Sequence, residues 1–435
     1  MRPRSALHDY QKHAVEQIVN TNELMLWVPL GGGKTAIALT AVAEIGCNAI
    51  VVGTKRIVEM TWPDEIKSWW HLDGITYAAA TGTKKERERA LATKPMILGI
   101  NYESLNWLLT QDLTGYDMII FDEVSKMKAH NTQRFKAFMK ARSRFRRIVG
   151  MTATPASESY LGLYAQYRSV ITEPILGKNI TQFRETYVTP VFKGLYTDYK
   201  VTERDKAAIE KRIRPYTLVL DVPRREDPTV VDVAVPWESK EAEAQYRTAE
   251  KRFVIEFDGK PYAMASRSES FMKTRQLATG IYLLNEDAKV TSPAKFEAIK
   301  EAYEELGGEP VLVFYQFVAE REILLDLLPG SEELHTPILE KFNLGEVPCL
   351  VVHPRSAGYG LNLQGPCRHI FWSSLPTSGE EYIQANGRIN RQGQDRQVVI
   401  KRFVRDRSID GELVSLVEGK LSGMDQLINN MRGRK

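Results

Sequence analysis

Short apolar runs rich in β-branched residues recur along this chain of 435 residues, and longer stretches with helical character separate them. The first series of runs lies at 24–30, 49–54, 96–100, 118–123 and 146–154, and a second series at 310–317, 348–354, 368–374 and 397–404. Strands that alternate with helices form parallel sheets that are buried on both faces. The sequence therefore predicts an α/β fold with two lobes, each a parallel sheet flanked by helices.

Residues 156–290, which lie largely between the two series, carry charged helical patterns and a break rich in Pro, Arg and Asp at 221–228. We expect an N-terminal lobe at 1–222 and a C-terminal lobe at 223–435, divided at this break. Helical elaborations are expected at about 156–220 and about 238–285, and a frayed basic end at 429–435.

Composition narrows the class of protein. Hydrophobic residues make up 43% of the chain and the net charge is +4, which is typical of a folded globular protein. No run approaches the roughly 18 apolar residues of a membrane span, and the N-terminus lacks a signal-peptide core, so we expect a cytoplasmic protein, or a nuclear one if the host cell has a nucleus. The three cysteines lack metal-ligand spacing, so neither a zinc site nor a disulfide framework is predicted.

The strongest local signal is the segment VPLGGGKT at 28–35, which leads from an apolar run into a helix-favouring stretch. Glycines let the backbone turn its N–H groups towards a phosphate, and a following helix N-terminus adds a positive dipole end. The residues expected to bind ATP here are Gly31, Gly32, Gly33, Lys34 and Thr35, the lysine on phosphate oxygens and the threonine on Mg²⁺. Because Val28 replaces the first glycine of the full pattern, a simple glycine-rich turn is the alternative.

A second motif, MIIFDEVS at 118–125, is an apolar strand that ends in two carboxylates. At the same sheet edge as the phosphate loop, Asp122 would contact Mg²⁺ and Glu123 would orient and deprotonate the attacking water. The alternative is an acidic helix cap that follows a buried strand.

Three further motifs are MTATP at 151–155, SAGYGLNL at 356–363 and QANGRINRQGQ at 384–394. Together with the first two, they make the chain resemble the superfamily 2 helicases, and within them the Swi/Snf-type DNA translocases. Segments 7–18 and 51–70 resemble that branch as well. The resemblance implies two tandem RecA-like lobes with ATP and Mg²⁺ as cofactors.

The resemblance also assigns roles around the nucleotide. Gln11 is expected to recognise adenine, and Gly360 and Gln384 to contact the nucleotide from the C-terminal lobe. Arg388 and Arg391 are three residues apart, would share one face of a helix, and are expected to stabilise the transferred phosphoryl group. A solvated helical face is the alternative for the two arginines.

Ser125 stands where the family has a histidine that links hydrolysis to the MTATP motif. A serine retains a hydrogen-bond donor, so coupling is expected to run through Ser125, Thr152 and Thr154.

Nucleic-acid contacts are implied by resemblance alone, and they would grip the phosphodiester backbone without reading sequence. The residues are Thr54, Lys55, Asn101, Tyr102, Tyr315, Gln316, Ser356 and Gly358. The basic stretch 134–148 is better interpreted as a packed helix with a solvated face, and Trp69, Trp70 and Trp107 as core residues.

These observations predict an ATP-dependent, DNA-stimulated translocase that moves along duplex DNA as a monomer. One alternative is a helicase that separates the strands of DNA or RNA. A second is a nucleotide-gated DNA-binding subunit that is not a motor.

Overall fold

The computed structural model describes residues 1–193, 196–222, 226–252, 254–257, 260–264, 266–284, 287–357, 363, 365–390 and 394–432. Gly358, Gly360 and Arg391, three of the predicted site residues, lie outside the described residues. The chain divides into two compact units, Met1–Pro223 with Lys420–Lys435, and Arg224–Gly419.

The first unit is built on a parallel sheet of seven strands. The strands of this unit are β1 (Glu23–Trp27), β2 (Asn48–Gly53), β3 (Tyr77–Ala80), β4 (Ile97–Asn101), β5 (Tyr116–Asp122), β6 (Arg147–Thr152), β7 (Thr189–Lys193), β8 (Tyr196–Lys200) and β9 (Thr217–Val219). The sheet order is β3-β4-β2-β5-β6-β1-β9, and β7 pairs with β8 as an antiparallel hairpin. Its central strands are buried along nearly their whole length, which explains their continuous apolar sequences.

Nine α-helices of this unit lie within the described part of the chain. They are α1 (Asp9–Asn20), α2 (Lys34–Ile45), α3 (Trp62–Ser68), α4 (Lys84–Ala92), α5 (Leu105–Leu108), α6 (Gln133–Ala141), α7 (Leu161–Val170), α8 (Ile180–Tyr187) and α9 (Glu203–Ile213). Two apolar clusters pack these helices on the sheet.

The second unit repeats the plan with a parallel sheet of six strands in the order β10-β19-β18-β15-β17-β16. Its strands are β10 (Thr229–Val235), β11 (Val254–Phe257), β12 (Lys260–Ala263), β13 (Ile281–Leu284), β14 (Asp287–Val290), β15 (Val311–Phe314), β16 (Ser331–Glu333), β17 (Cys349–Val352), β18 (His369–Trp372) and β19 (Val399–Arg405). The pairs β11–β12 and β13–β14 are antiparallel hairpins.

The remaining helices are α10 (Lys240–Arg252), α11 (Arg267–Thr279), α12 (Ala294–Glu304), α13 (Val318–Leu327), α14 (Thr336–Leu344), α15 (Pro354–Ala357), α16 (Gly379–Asn386) and α17 (Ile409–Arg432). Helix α17 begins in the second unit, and its residues from Lys420 onwards group with the first. None of the helices in the described ranges meets the length and hydropathy of a membrane span.

The predicted fold class is confirmed, because each unit is a parallel sheet flanked by helices, as expected for RecA-like lobes. The elaborations differ from the prediction, since they hold β-hairpins as well as helices. The Asp258–Gly259 dipeptide between β11 and β12 is a hairpin signal that the prediction passed over.

The sequence predicted a frayed end at 429–435, and this prediction is wrong for residues 429–432, which belong to α17. Leu427 and Met431 lie one helical turn apart and are both buried, so this end of α17 is held by packing.

Candidate active site

The phosphate loop connects β1 to α2 at the carboxyl edge of the first sheet. Gly31 and Gly33 both have a φ of 78°, in the left-handed region that glycine adopts readily. Gly33 directly precedes α2, so the loop leads into the free N–H groups of that helix. A Cβ at Gly33 would lie 2.2 Å from Nε2 of Gln11, so a side chain there would displace the Gln11 amide. Such a loop is suited to binding phosphate.

Gln11 is buried and ties α1 to the phosphate loop through both ends of its amide. Its Nε2 donates to the carbonyl of Gly32 at 3.2 Å, and its Oε1 accepts from the backbone N–H of His8 at 2.9 Å. The side chain therefore supports the loop, and its expected contact with adenine remains a prediction.

The carboxylate turn consists of Asp122, the last residue of β5, and Glu123, which follows it. In the sheet, β6 lies between β5 and β1. Glu123 has a φ of 69°, an uncommon conformation for a residue with a side chain. Oε2 of Glu123 lies 3.6 Å from Nζ of Lys34, and only 15% of the lysine side chain and 7% of the glutamate side chain are exposed. The fold thus brings together the two sequence motifs that predicted an ATP site.

Asp122 is held by a tryptophan that the sequence analysis had not assigned to the site. The indole N–H of Trp62, the first residue of α3, donates to Oδ2 of Asp122 at 2.9 Å. Burial raises the pKa of Asp122, while the charge of Lys34 and the indole donor act in the opposite direction. The sequence pattern that could have indicated this role is the spacing of Trp62, Glu65 and Trp69 in segment 51–70. The sequence analysis used that segment only as part of the family resemblance.

Glu123 also accepts hydrogen bonds from two hydroxyl groups, and one of them, that of Thr152, belongs to the MTATP motif. Ser125 Oγ donates to Oε1 of Glu123 at 2.8 Å, and Thr152 Oγ1 donates to the same oxygen. The backbone N–H of Thr154 in turn donates to Thr152 Oγ1 at 2.9 Å. These contacts join the three residues expected to couple hydrolysis to the rest of the lobe, although coupling itself remains a prediction.

The donor chemistry of the site suits Mg²⁺. Asp122 offers a buried carboxylate and Thr35 a partly buried hydroxyl, and both are hard oxygen donors. In the part of the chain that the structure describes, no group of three or more His, Cys, Asp or Glu residues could hold a metal ion. Mg²⁺ is usually bound through one or two protein oxygen ligands together with substrate phosphates and water, and Asp122 and Thr35 could supply the protein ligands.

In the second unit, α16 ends at Asn386, so Arg388 lies in the turn that follows the helix. The expectation that Arg388 and Arg391 share a helical face is therefore wrong for Arg388, because the helix stops before Gly387, a poor helix former. Gln384 is buried on α16, and its carbonyl accepts from Nε of Arg388 at 3.2 Å.

The predicted nucleic-acid residues differ in exposure. Lys55 and Ser356 are exposed, and Thr54, Asn101 and Gln316 are partly buried.

Tyr102 and Tyr315 are only 2% and 6% exposed, so their rings do not present a surface to a nucleic acid. Any contact from these two positions would have to come from the backbone.

The basic stretch at 134–148 agrees with the packed-helix interpretation, because Phe135 and Phe138 on α6 are buried. Among the three tryptophans, Trp69 is buried, Trp107 is partly buried and Trp70 is 62% exposed. The prediction of a core position is therefore wrong for Trp70.

Comparison with known proteins extends this description. Residues 4–157 match the family model described as "Type III restriction enzyme, res subunit". "Putative protein p41" of Acyrthosiphon pisum secondary endosymbiont phage 1 is 27% identical over 97% of this chain and 98% of that protein. "DNA 3'-5' helicase XPB" of Kineococcus radiotolerans is 27% identical over 35% of this chain and 27% of that protein. These matches support the interpretation of the chain as a helicase or translocase of superfamily 2.

A solved structure, "Sulfolobus solfataricus SWI2/SNF2 ATPase core in complex with dsDNA", aligns with a TM-score of 0.45 at 18% identity, over 98% of this chain and 93% of that chain. The present chain spans nearly the whole phage protein but about a quarter of the XPB relative.

Proposed function

We propose that this ATPase is a DNA-stimulated translocase that hydrolyses ATP to ADP and phosphate while it moves along duplex DNA. The observation that carries the proposal is the 3.6 Å approach of Lys34 to Glu123, within a phosphate loop and a carboxylate turn that share one sheet edge. The XPB relative is named as a DNA helicase, which supports DNA as the partner. The Swi/Snf-type motifs favour duplex DNA.

ATP binding is assigned to the phosphate loop. The backbone of Gly31, Gly32 and Gly33 and the ammonium of Lys34 bind the phosphates, and Gln11 keeps the loop in place. Thr35 and Asp122 hold Mg²⁺, which supplies positive charge to the phosphate oxygens when it is bound.

Glu123 serves as the group that orients the attacking water and accepts its proton. Its Oε1 already accepts from Ser125 and Thr152, and its Oε2 faces Lys34. These contacts fix the carboxylate before substrate arrives, as a positioned base requires. A base so placed typically accelerates a reaction by about 10²–10⁴-fold.

The roles proposed for residues of the C-terminal lobe rest on the sequence motifs. We propose that residues 1–222 and 223–435 act as the ATP-binding lobe and the helicase lobe of one motor. Gly360 and Gln384 contact nucleotide, and Arg388 and Arg391 stabilise the charge that develops on the transferred phosphoryl group. The monomeric state and the cytoplasmic location stay predictions as well.

The partner is double-stranded DNA bound through its phosphates, so affinity should be independent of sequence and should fall steeply with salt. The contacting segments are 54–55, 101–102, 315–316 and 356–358.

The experiment is an ATPase assay with and without duplex DNA, followed by triplex displacement and duplex unwinding assays. Stimulation by duplex DNA with triplex displacement and without unwinding supports the proposal. Hydrolysis that no nucleic acid stimulates, or triplex displacement that does not depend on ATP, contradicts it.

A second candidate function is strand separation, and the β7–β8 hairpin favours it. Phe192 near the end of β7 is 80% exposed, and a projecting apolar side chain can wedge between bases. Unwinding of a fluorescent duplex that is lost in Phe192→Ala, with ATPase retained, would support this function in place of the first.

A further inference from the structure

Trp62 connects a segment assigned to nucleic acid with the ATP site. Its side chain is fully buried, and its indole N–H donates to Asp122 at 2.9 Å across 60 positions of sequence. Trp62 is the first residue of α3. It lies eight positions after Thr54, which directly follows β2. A shift of α3 would therefore move the indole donor and displace the Asp122 carboxylate.

The backbone before Trp62 is unusual. Ile57–Thr61 form a π-helical turn, and the hydroxyl of Tyr77 on β3 donates to the carbonyl of Val58 in that turn at 2.5 Å. Single π-helical turns often occur where a helix must direct a functional side chain. The turn lies directly between Lys55 and Trp62, so it sets the position from which the indole reaches Asp122.

Tyr102 makes a second connection to the same turn. It follows Asn101 at the end of β4, and its buried hydroxyl donates to the carbonyls of Asp122 at 3.2 Å and Glu123 at 2.9 Å. Glu123 has its φ in the left-handed region, a conformation that persists when surrounding contacts fix it. The tyrosine hydroxyl supplies one of those contacts.

We propose that Trp62 and Tyr102 are positioning residues that hold the carboxylate turn against the phosphate loop, and that through them nucleic acid bound at segments 54–55 and 101–102 changes ATP turnover. The inference rests on the proposed function. The inference goes beyond the proposed function because it assigns the coupling between DNA binding and ATP turnover to two buried side chains that contact neither DNA nor nucleotide.

Two conservative variants of the full-length chain test the proposal. Tyr102→Phe removes only the hydroxyl, and Trp62→Phe removes the indole donor while it keeps an aromatic ring. Tyr116→Phe is the control for the first, because the buried Tyr116 also donates to a backbone carbonyl, that of Pro95 at 3.0 Å. Trp27→Phe is the control for the second, because Trp27 is equally buried and its indole N–H has no partner among the described residues.

The first measurement is the ratio of ATPase rates with and without duplex DNA. The second is the affinity for fluorescent duplex DNA, by anisotropy, with and without a non-hydrolysable ATP analogue and Mg²⁺. Coupling between two sites changes each affinity by the same factor, typically about 5–150-fold. We expect Tyr102→Phe and Trp62→Phe to reduce both ratios by roughly tenfold, while the two controls keep wild-type ratios. Trp62 lies outside the proposed DNA-contacting segments, so Trp62→Phe should also retain DNA affinity without nucleotide.

Hydrogen exchange of the wild-type protein gives a readout that needs no variant. The amide of Lys126 donates to the carbonyl of Glu123, so DNA alone should slow its exchange. If DNA binds without slowing this exchange, or if both positioning variants keep wild-type ratios, the inference is overturned. If wild-type protein neither binds DNA nor responds to it, the proposed function fails instead.

Discussion

The ammonium of Lys34 lies 3.6 Å from the carboxylate of Glu123. The two side chains come from the first residue of α2 and from the turn after β5, and both are largely buried. Their opposite charges stabilise each other in a site from which water is largely excluded. In the proposed function, this pair joins phosphate binding to the activation of water.

Gly33→Ala should weaken nucleotide binding, because a Cβ there would displace Nε2 of Gln11, 2.2 Å away, on a backbone with φ of 78° that L-residues rarely adopt. Gly46→Ala is the matched control, since Gly46 has a φ of 67° at the other end of α2 and nothing lies within 4 Å of its Cβ position. We expect the control to lose about 1 kcal/mol of stability and to keep nucleotide affinity. Equal nucleotide binding by both variants, measured by fluorescence titration, would contradict the close approach.

Thr152→Val should reduce kcat by roughly 10–100-fold, because it removes one donor to Glu123 Oε1 and the acceptor of the Thr154 N–H. Thr152→Ser restores the hydroxyl and should recover most of the rate. Steady-state kinetics at saturating ATP check this prediction. If Thr152→Ser were as slow as Thr152→Val, the shape of the Thr152 side chain and not its hydroxyl would control the rate, and the prediction would be wrong.

The sequence predicted most of what lies in continuous apolar strands, since a strand buried on both faces is recognisable from its own residues. β3, with the sequence YAAA, escaped prediction because it lacks β-branched residues and owes its pairing to β4. The two motifs of the site were predictable because the carboxyl ends of parallel strands share an edge.

The contacts of Trp62 and Tyr102 with the carboxylate turn were not predictable, because they join residues about 20 to 60 positions apart. Tyr102 was assigned to nucleic acid, yet its hydroxyl is buried against Glu123. Such contacts follow from tertiary packing and leave no local pattern.

Lys295→Met should destabilise the protein by about 3–5 kcal/mol, because Lys295 is fully buried and pairs with Asp410 at 2.5 Å. The variant leaves a buried carboxylate without its cation. Lys300→Met is the matched control, since its pair with Glu304 is exposed and should contribute less than about 1 kcal/mol. Urea unfolding measures the free energy of unfolding of both variants. Similar losses of stability in the two would contradict the larger contribution expected of the buried pair.

Glu309 should make stability depend on pH. The guanidinium of Arg368 and the ring of His369 lower the pKa of Glu309 to about 2, from 4.5. A lowered folded-state pKa stabilises the fold above the unfolded value, and that stability is lost as the pH falls from 4.5 towards 2. The difference in Tm between wild type and Glu309→Gln should therefore be largest above about pH 5 and narrow on acidification. A difference that does not change with pH would contradict the assignment.

The most direct measurement is ATP turnover by Glu123→Gln beside wild type, with and without duplex DNA, together with ATP affinity. The account predicts that wild-type turnover rises with DNA, whereas the variant binds ATP normally and hydrolyses it at least about 100-fold more slowly in either condition. Wild-type turnover in Glu123→Gln would contradict the role of this carboxylate and with it the proposed motor.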